Sequence, residues 1–103
     1  MSNPEITKSQ LIAVLKSWGE GKISSEQLQD WMVTFYDPPE VIIGAGEAEW
    51  SQMAMHIIMN EYEIAKISKF RVENYALAIA FAECTEETFE QCKHLFIYNG
   101  FSD

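Results

Sequence analysis

An all-α bundle of about five helices is the fold this sequence predicts, and three observations carry it. Apolar residues recur at helical spacing over Leu11–Trp18, Leu28–Phe35 and Phe89–Phe96. Helix-ending residues follow the stripes: Gly19 and Gly21, then Asp37-Pro38-Pro39, then Asn99-Gly100. The 103 residues, 48% of them hydrophobic and including three Trp, four Tyr and six Phe, supply one core but not two. A single helical domain over 1–103 is expected.

The first helix runs from about Ser9 to Trp18. Leu11, Leu15 and Trp18 fall at i, i+4 and i+7 with Ile12 alongside, and the glycines at 19 and 21 cap its end. Ser24 with Gln27 three residues on reads as a capping box. The second helix then carries Leu28, Trp31, Met32 and Phe35 on one face and Glu26 and Asp30 on the wet face, and the Asp37-Pro pair stops it. Val41-Ile42-Ile43 reads equally as an extended piece or a turn of helix. A third helix starts near Glu47, with Glu47 and Glu49 in the turn where the macrodipole favours anions. Its stripe is Trp50, Ala54, Ile57, Ile58 and Ala65, and it runs to Ile67 or breaks near Asn60. A fourth helix, about Arg71 to Glu83, offers Val72, Tyr75, Ala76, Ile79 and Ala80, small residues suited to close packing. Thr85 reads as the cap of the last helix, with Glu86 and Glu87 in its first turn and Phe89, Cys92, Leu95 and Phe96 as its stripe.

Charge is distributed unevenly. Sixteen acids against seven bases give a formal net charge of −9. Residues 23–65 hold no Lys or Arg but eight acids: Glu26, Asp30, Asp37, Glu40, Glu47, Glu49, Glu61 and Glu63. Such a chain repels phosphate backbones and anionic lipid, so neither nucleic acid nor membrane is an expected partner. The acids read either as a solvated face that keeps the chain soluble or as a docking surface for a basic protein, which acids steer and select. The opening Met1-Ser-Asn-Pro-Glu5 lacks the basic and apolar regions of a signal peptide. No apolar run approaches the roughly 18 residues of a membrane span, and a cytoplasmic location is expected.

The constellations that would carry chemistry fail one by one. Val41-Ile42-Ile43-Gly44-Ala45-Gly46 begins like a dinucleotide fingerprint, but Glu49 stands where the third glycine belongs and would repel a pyrophosphate. His56 and His94 lack convergent acids at metal-binding spacing, and Glu90 with His94 reads as a surface i, i+4 contact. Cys84 has acidic neighbours Glu83, Glu86 and Glu87, which raise a thiol pKa rather than lower it. If Cys84 and Cys92 share one helix they stand about 12 Å apart, beyond disulfide reach, so both are expected as reduced structural thiols. No enzyme, no cofactor and no metal is expected.

The segment Leu11-x-x-x-Leu15-x-x-Trp18-x-x-Gly21-x-Ile23-Ser24-x-x-x-Leu28-x-x-Trp31 resembles the N-terminal helical hairpin of small acidic bacterial immunity proteins, which neutralise colicin-like or contact-dependent growth inhibition toxins. The resemblance covers about the first third of the chain. It implies a cognate toxin domain, commonly a basic nuclease, held by an acidic partner; separately, a monomer is expected rather than a dimer. The residues flanking irregular chain are the candidates for binding it: Asp37, Glu40, Glu47 and Glu49, with Tyr36 and Trp50 as aromatic anchors. Trp18, Trp31 and the rest of Trp50's stripe are read as core, and Glu86 and Glu87 as acids remote from the site. Two other readings are a small acidic chaperone or adaptor for a secreted effector, which would dimerise around an apolar groove, and a helical regulatory protein with no toxin partner.

Overall fold

A computed structural model of the chain describes residues 5–36 and 40–102. Five α-helices dominate these residues: α1 (Lys8–Gly19), α2 (Ser25–Tyr36), α3 (Glu49–Ile64), α4 (Tyr75–Ala82) and α5 (Phe89–Asn99). Short 3-10 turns over Ile67–Lys69 and Val72–Asn74 lead into α4. Two short strands, β1 (Glu5–Ile6) and β2 (Ile42–Ile43), pair in parallel with Glu5 opposite Ile42. The stretch around Val41 is therefore extended at Ile42–Ile43. The fold is a mostly α, bundle-like arrangement.

Local sequence accounts for the helix ends. Thr7 and Gln10 close a capping box on α1, Gln10 N–H donating to Thr7 Oγ1 at 3.1 Å and Thr7 N–H to Gln10 Oε1 at 2.8 Å. Ser24 and Gln27 do the same for α2 at 3.1 and 2.8 Å. At the end of α1, Lys22 N–H reaches Ser17 O and Gly21 N–H reaches Trp18 O, with Gly21 at φ +78°. This is a Schellman closure in which Gly21 takes the left-handed position. Gly19 is still helical, and its missing side chain has another use: a methyl there would collide with the Tyr75 ring, so α1 and α4 approach closely. The expected stop at Asp37-Pro38-Pro39 lies outside the described residues.

α3 is the central element, packed against α2, α4 and α5. Its buried face is Ser51, Ala54, Met55, Ile58, Met59 and Tyr62, a stripe rotated from the expected one, because neighbours on several sides cover more than the most apolar edge. The helix begins at Glu49, so Glu47 precedes the first turn, and it passes through Asn60 to end at Ile64. In α4 the buried residues are Ala78, Phe81 and Ala82, whereas Ala76 and Ala80 are exposed. In α5, Phe89 and Phe96 are buried and Leu95 is exposed. That helix is capped at Thr88 rather than Thr85; Thr85 N–H donates to Thr88 Oγ1 at 2.9 Å, and Glu86 and Glu87 form the turn before it.

Tyr62 centres an aromatic cluster, its ring 5.5 Å from Trp18, 5.1 Å from Phe70, 5.5 Å from Phe96 and 5.2 Å from Phe101. Phe101 also pairs with Phe70 through an isolated bridge, tying the residues after α5 to the α3–α4 connection. Phe96, fully buried, contributes about 1.5–3 kcal/mol, and the partly buried Phe70 and Phe101 contribute less.

Candidate protein-interaction site

Alternation of helix direction decides where the charges meet. Ser51 Oγ donates to Ala82 O at 2.6 Å, which sets the start of α3 beside the end of α4. Cys84 Sγ lies 3.7 Å from Trp50 O, and the Trp50 and Phe89 rings stand 5.4 Å apart, which adds the start of α5. Lys8 Nζ lies 3.2 Å from Glu47 Oε1, which adds the start of α1. Glu5, Glu40, Glu47, Glu49, Glu83, Glu86, Glu87 and Glu90 thus belong to one end of the bundle, with Lys8 there and Lys93 one turn along α5 from Glu90. At the other end Gln29 reaches the last carbonyls of α3, Arg71 N–H reaches Gly100 O, and Ser102 N–H reaches Lys69 O. Lys16, Lys22, Lys66, Lys69 and Arg71 lie there among Glu20, Glu26, Glu61, Glu63 and Glu73, and charge nearly cancels.

The acidic interval of the sequence is therefore not a patch in space. Glu40, Glu47 and Glu49 go to the acidic end, Glu26, Glu61 and Glu63 to the other, Asp30 lies midway along α2 beside Gln29, and Asp37 lies outside the described residues. Glu5, Glu83, Glu86, Glu87 and Glu90 join the acidic end from distant sequence. Glu86 and Glu87 in particular are not remote from Trp50: they sit in the turn between its thiol partner Cys84 and its ring partner Phe89. Alternation of helix direction puts the starts of α1, α3 and α5 together, and the sequence carried no direct signal of it, because the links over 37–48 and 65–74 are too long to dictate antiparallel neighbours. First-turn acids Glu49 and Glu90 also answer the helix dipoles there.

The candidate residues take different parts. Glu40 and Glu49 are exposed. Glu47 is engaged by Lys8, both side chains about one-third exposed, and it follows a turn in which its N–H donates to Gly44 O. That pair fixes the loop and is worth about 0–1 kcal/mol. Trp50 is half-buried against Phe89. Tyr36 is half-buried edge-on to His56, 5.8 Å between centroids, and seven residues separate His56 from Glu49 on α3. Burial first, and then the negative Glu63, raise the Tyr36 phenol pKa. Tyr36 thus belongs to the α2–α3 flank, and the structure does not bring it to Trp50.

Burial also raises the Cys84 thiol pKa, with Cys92 adding to it and a backbone hydrogen bond and Lys8 opposing. Burial, rather than the acids around it in sequence, is the leading cause. Both cysteines are free, but they do not share a helix: Cys84 follows α4 and Cys92 lies in α5. Among the described residues no group of His, Cys, Asp and Glu is placed to hold a metal, and no helix is long and apolar enough to cross a membrane.

Comparison with models of known protein families, with characterised proteins and with solved structures found no match. The class defined by fold and surface is a small helical protein with one acidic end.

Proposed function

We propose that this chain is an immunity protein that binds a basic toxin domain through its acidic end, acting by occlusion and not by catalysis. The observation that carries the reading is the gathering of eight acids, against Lys8 and Lys93, from separate stretches of sequence at one end of the bundle. Clefts that handle phosphates carry Lys and Arg, and fixed acids opposite them mimic the substrate's charge and speed encounter. Exposed Glu40, Glu49, Glu86 and Glu87 supply the charge, Trp50 the apolar contact, and Glu47 the position of the loop.

Growth protection tests it. The reading expects a toxin gene adjacent to this one, and co-expression with that toxin domain should restore growth. The triple variant Glu49→Lys, Glu86→Lys, Glu87→Lys should lose protection while keeping its helical spectrum. Full protection by the folded triple variant would refute the acidic end as the binding face.

A further inference from the structure

The second helix carries two large rings that the core does not absorb. Leu28 and Met32 are fully buried, but Trp31 and Phe35, at i and i+4, are only partly so, and their centroids lie 5.2 Å apart. They form one wall of an open groove of about 350 Å³ between α1 and α2. Ile6 of β1 and Ala13 and Val14 of α1 complete its apolar lining, and exposed Glu5 stands at its lip beside the acidic end. The groove exists because Ala13 is small where α1 passes the two rings. Its volume is near the bottom of the ligand-pocket range of about 300–1,000 Å³, room for a few apolar side chains.

Charge selects the occupant. Among the described residues Glu5 is the one charged residue lining the groove, and the chain carries a net charge of −9. Like-charge repulsion opposes a second copy of this chain. An apolar segment flanked by Lys or Arg satisfies both the rings and Glu5, in the pattern of an aromatic anchor with a charged rim. We infer that the groove between α1 and α2 takes the apolar side chains of a basic, amphipathic partner segment, which the acidic end attracts. The inference rests on the reading of a basic protein partner, and adds an anchor that charge alone does not supply.

The probe is a 14-residue amphipathic peptide of Leu and Lys, titrated into the full isotope-labelled chain and followed by NMR. A Ser/Lys peptide of equal charge and a Leu/Glu peptide serve as comparisons. The Leu/Lys peptide should move the Trp31 indole resonance, assigned with Trp31→Phe, and the amides of Ala13, Val14 and Ser17. Ala13→Gln, an exposed helical position that fills the groove without opening the core, should weaken binding at least tenfold. Ser17→Gln narrows the groove from the other end and should act alike, and neither comparison peptide should move these resonances. Unchanged affinity in both folded glutamine variants overturns the groove. So do equal shifts with the Ser/Lys peptide, or shifts that follow protein concentration without peptide, the mark of a second copy. Glu49→Lys with Glu86→Lys separates the two proposals. If that pair abolishes peptide binding while Ala13→Gln does not, the acidic end stands and the groove falls; the reverse pattern keeps the groove and removes the acidic end.

Discussion

At the scale of single residues, burial does more than neighbouring charge. Tyr62 is 1% exposed, and burial drives its phenol pKa well above the ordinary value of 10.0. Cys84 is shifted the same way by the same leading cause. A raised pKa means that the folded state holds the proton more tightly than the unfolded chain. The stability each group contributes is complete below its unfolded pKa and is lost as pH rises through the folded value. Urea midpoints should therefore hold up to about pH 8.5 and fall above it, Cys84 contributing first and Tyr62 above about pH 10. Cys84→Ala should flatten the first part and Tyr62→Phe the second; an unchanged alkaline slope in both variants would contradict this. The sequence could place a thiol among acids but not bury it, because burial depends on α3 and α5 arriving from elsewhere. Gly19 is a similar case: from the sequence it is one of two cap glycines, and only the Tyr75 ring separates its use from that of Gly21.

Among the elements, ends were more legible than faces. The Ser24–Gln27 box, the glycine closure after α1 and the finish of α5 near Asn99-Gly100 follow from contacts a few residues apart. The Thr7–Gln10 box has the same spacing and starts α1 at Lys8, one residue before the expected Ser9. The faces of α3 and α4 were misassigned because apolar residues surround both helices, and which side is covered depends on their neighbours. Leu28-x-x-Trp31-Met32-x-x-Phe35 shows the reverse error. All of it matches a buried stripe, yet α1 leaves the two rings at a groove. One long-range cap ties α2 to α3. Gln29 Nε2 lies 3.1, 3.2 and 2.8 Å from the carbonyl oxygens of Tyr62, Glu63 and Ala65. Gln29→Ala should lower unfolding stability by about 1–2 kcal/mol, since it leaves part-buried carbonyls without a donor. Gln29→Glu, which supplies no donor and adds a negative charge, should cost more. Equal urea midpoints for wild type and both variants would show that the cap is ornamental.

Over the whole molecule, net charge was legible and its placement was not. The sequence marks residues 23–65 as acidic, but antiparallel packing divides them: Glu49 starts α3 at one end while Glu61 and Glu63 finish it near the other, about 20 Å along the helix. Glu86 and Glu87, outside the interval, stand where the partner is expected. A sequence interval and a spatial pole thus make opposite predictions for two pairs of residues, and one kinetic measurement separates them. The measurement is the association rate with a toxin domain that the chain is found to protect against, taken by stopped flow from low to high ionic strength. Fixed charges at an interface raise that rate steeply as salt falls. Glu86→Lys with Glu87→Lys should slow association about tenfold or more at low salt and flatten its salt dependence. Glu26→Lys with Glu73→Lys, the same change of charge at the opposite end, should leave the rate within about twofold at an ionic strength of about 0.1 M, where the Debye length is about 10 Å and charges at the far end are screened from the interface. Equal slowing by the two pairs would mean that total charge alone governs encounter, and slowing by Glu26 and Glu73 alone would place the partner at the other end.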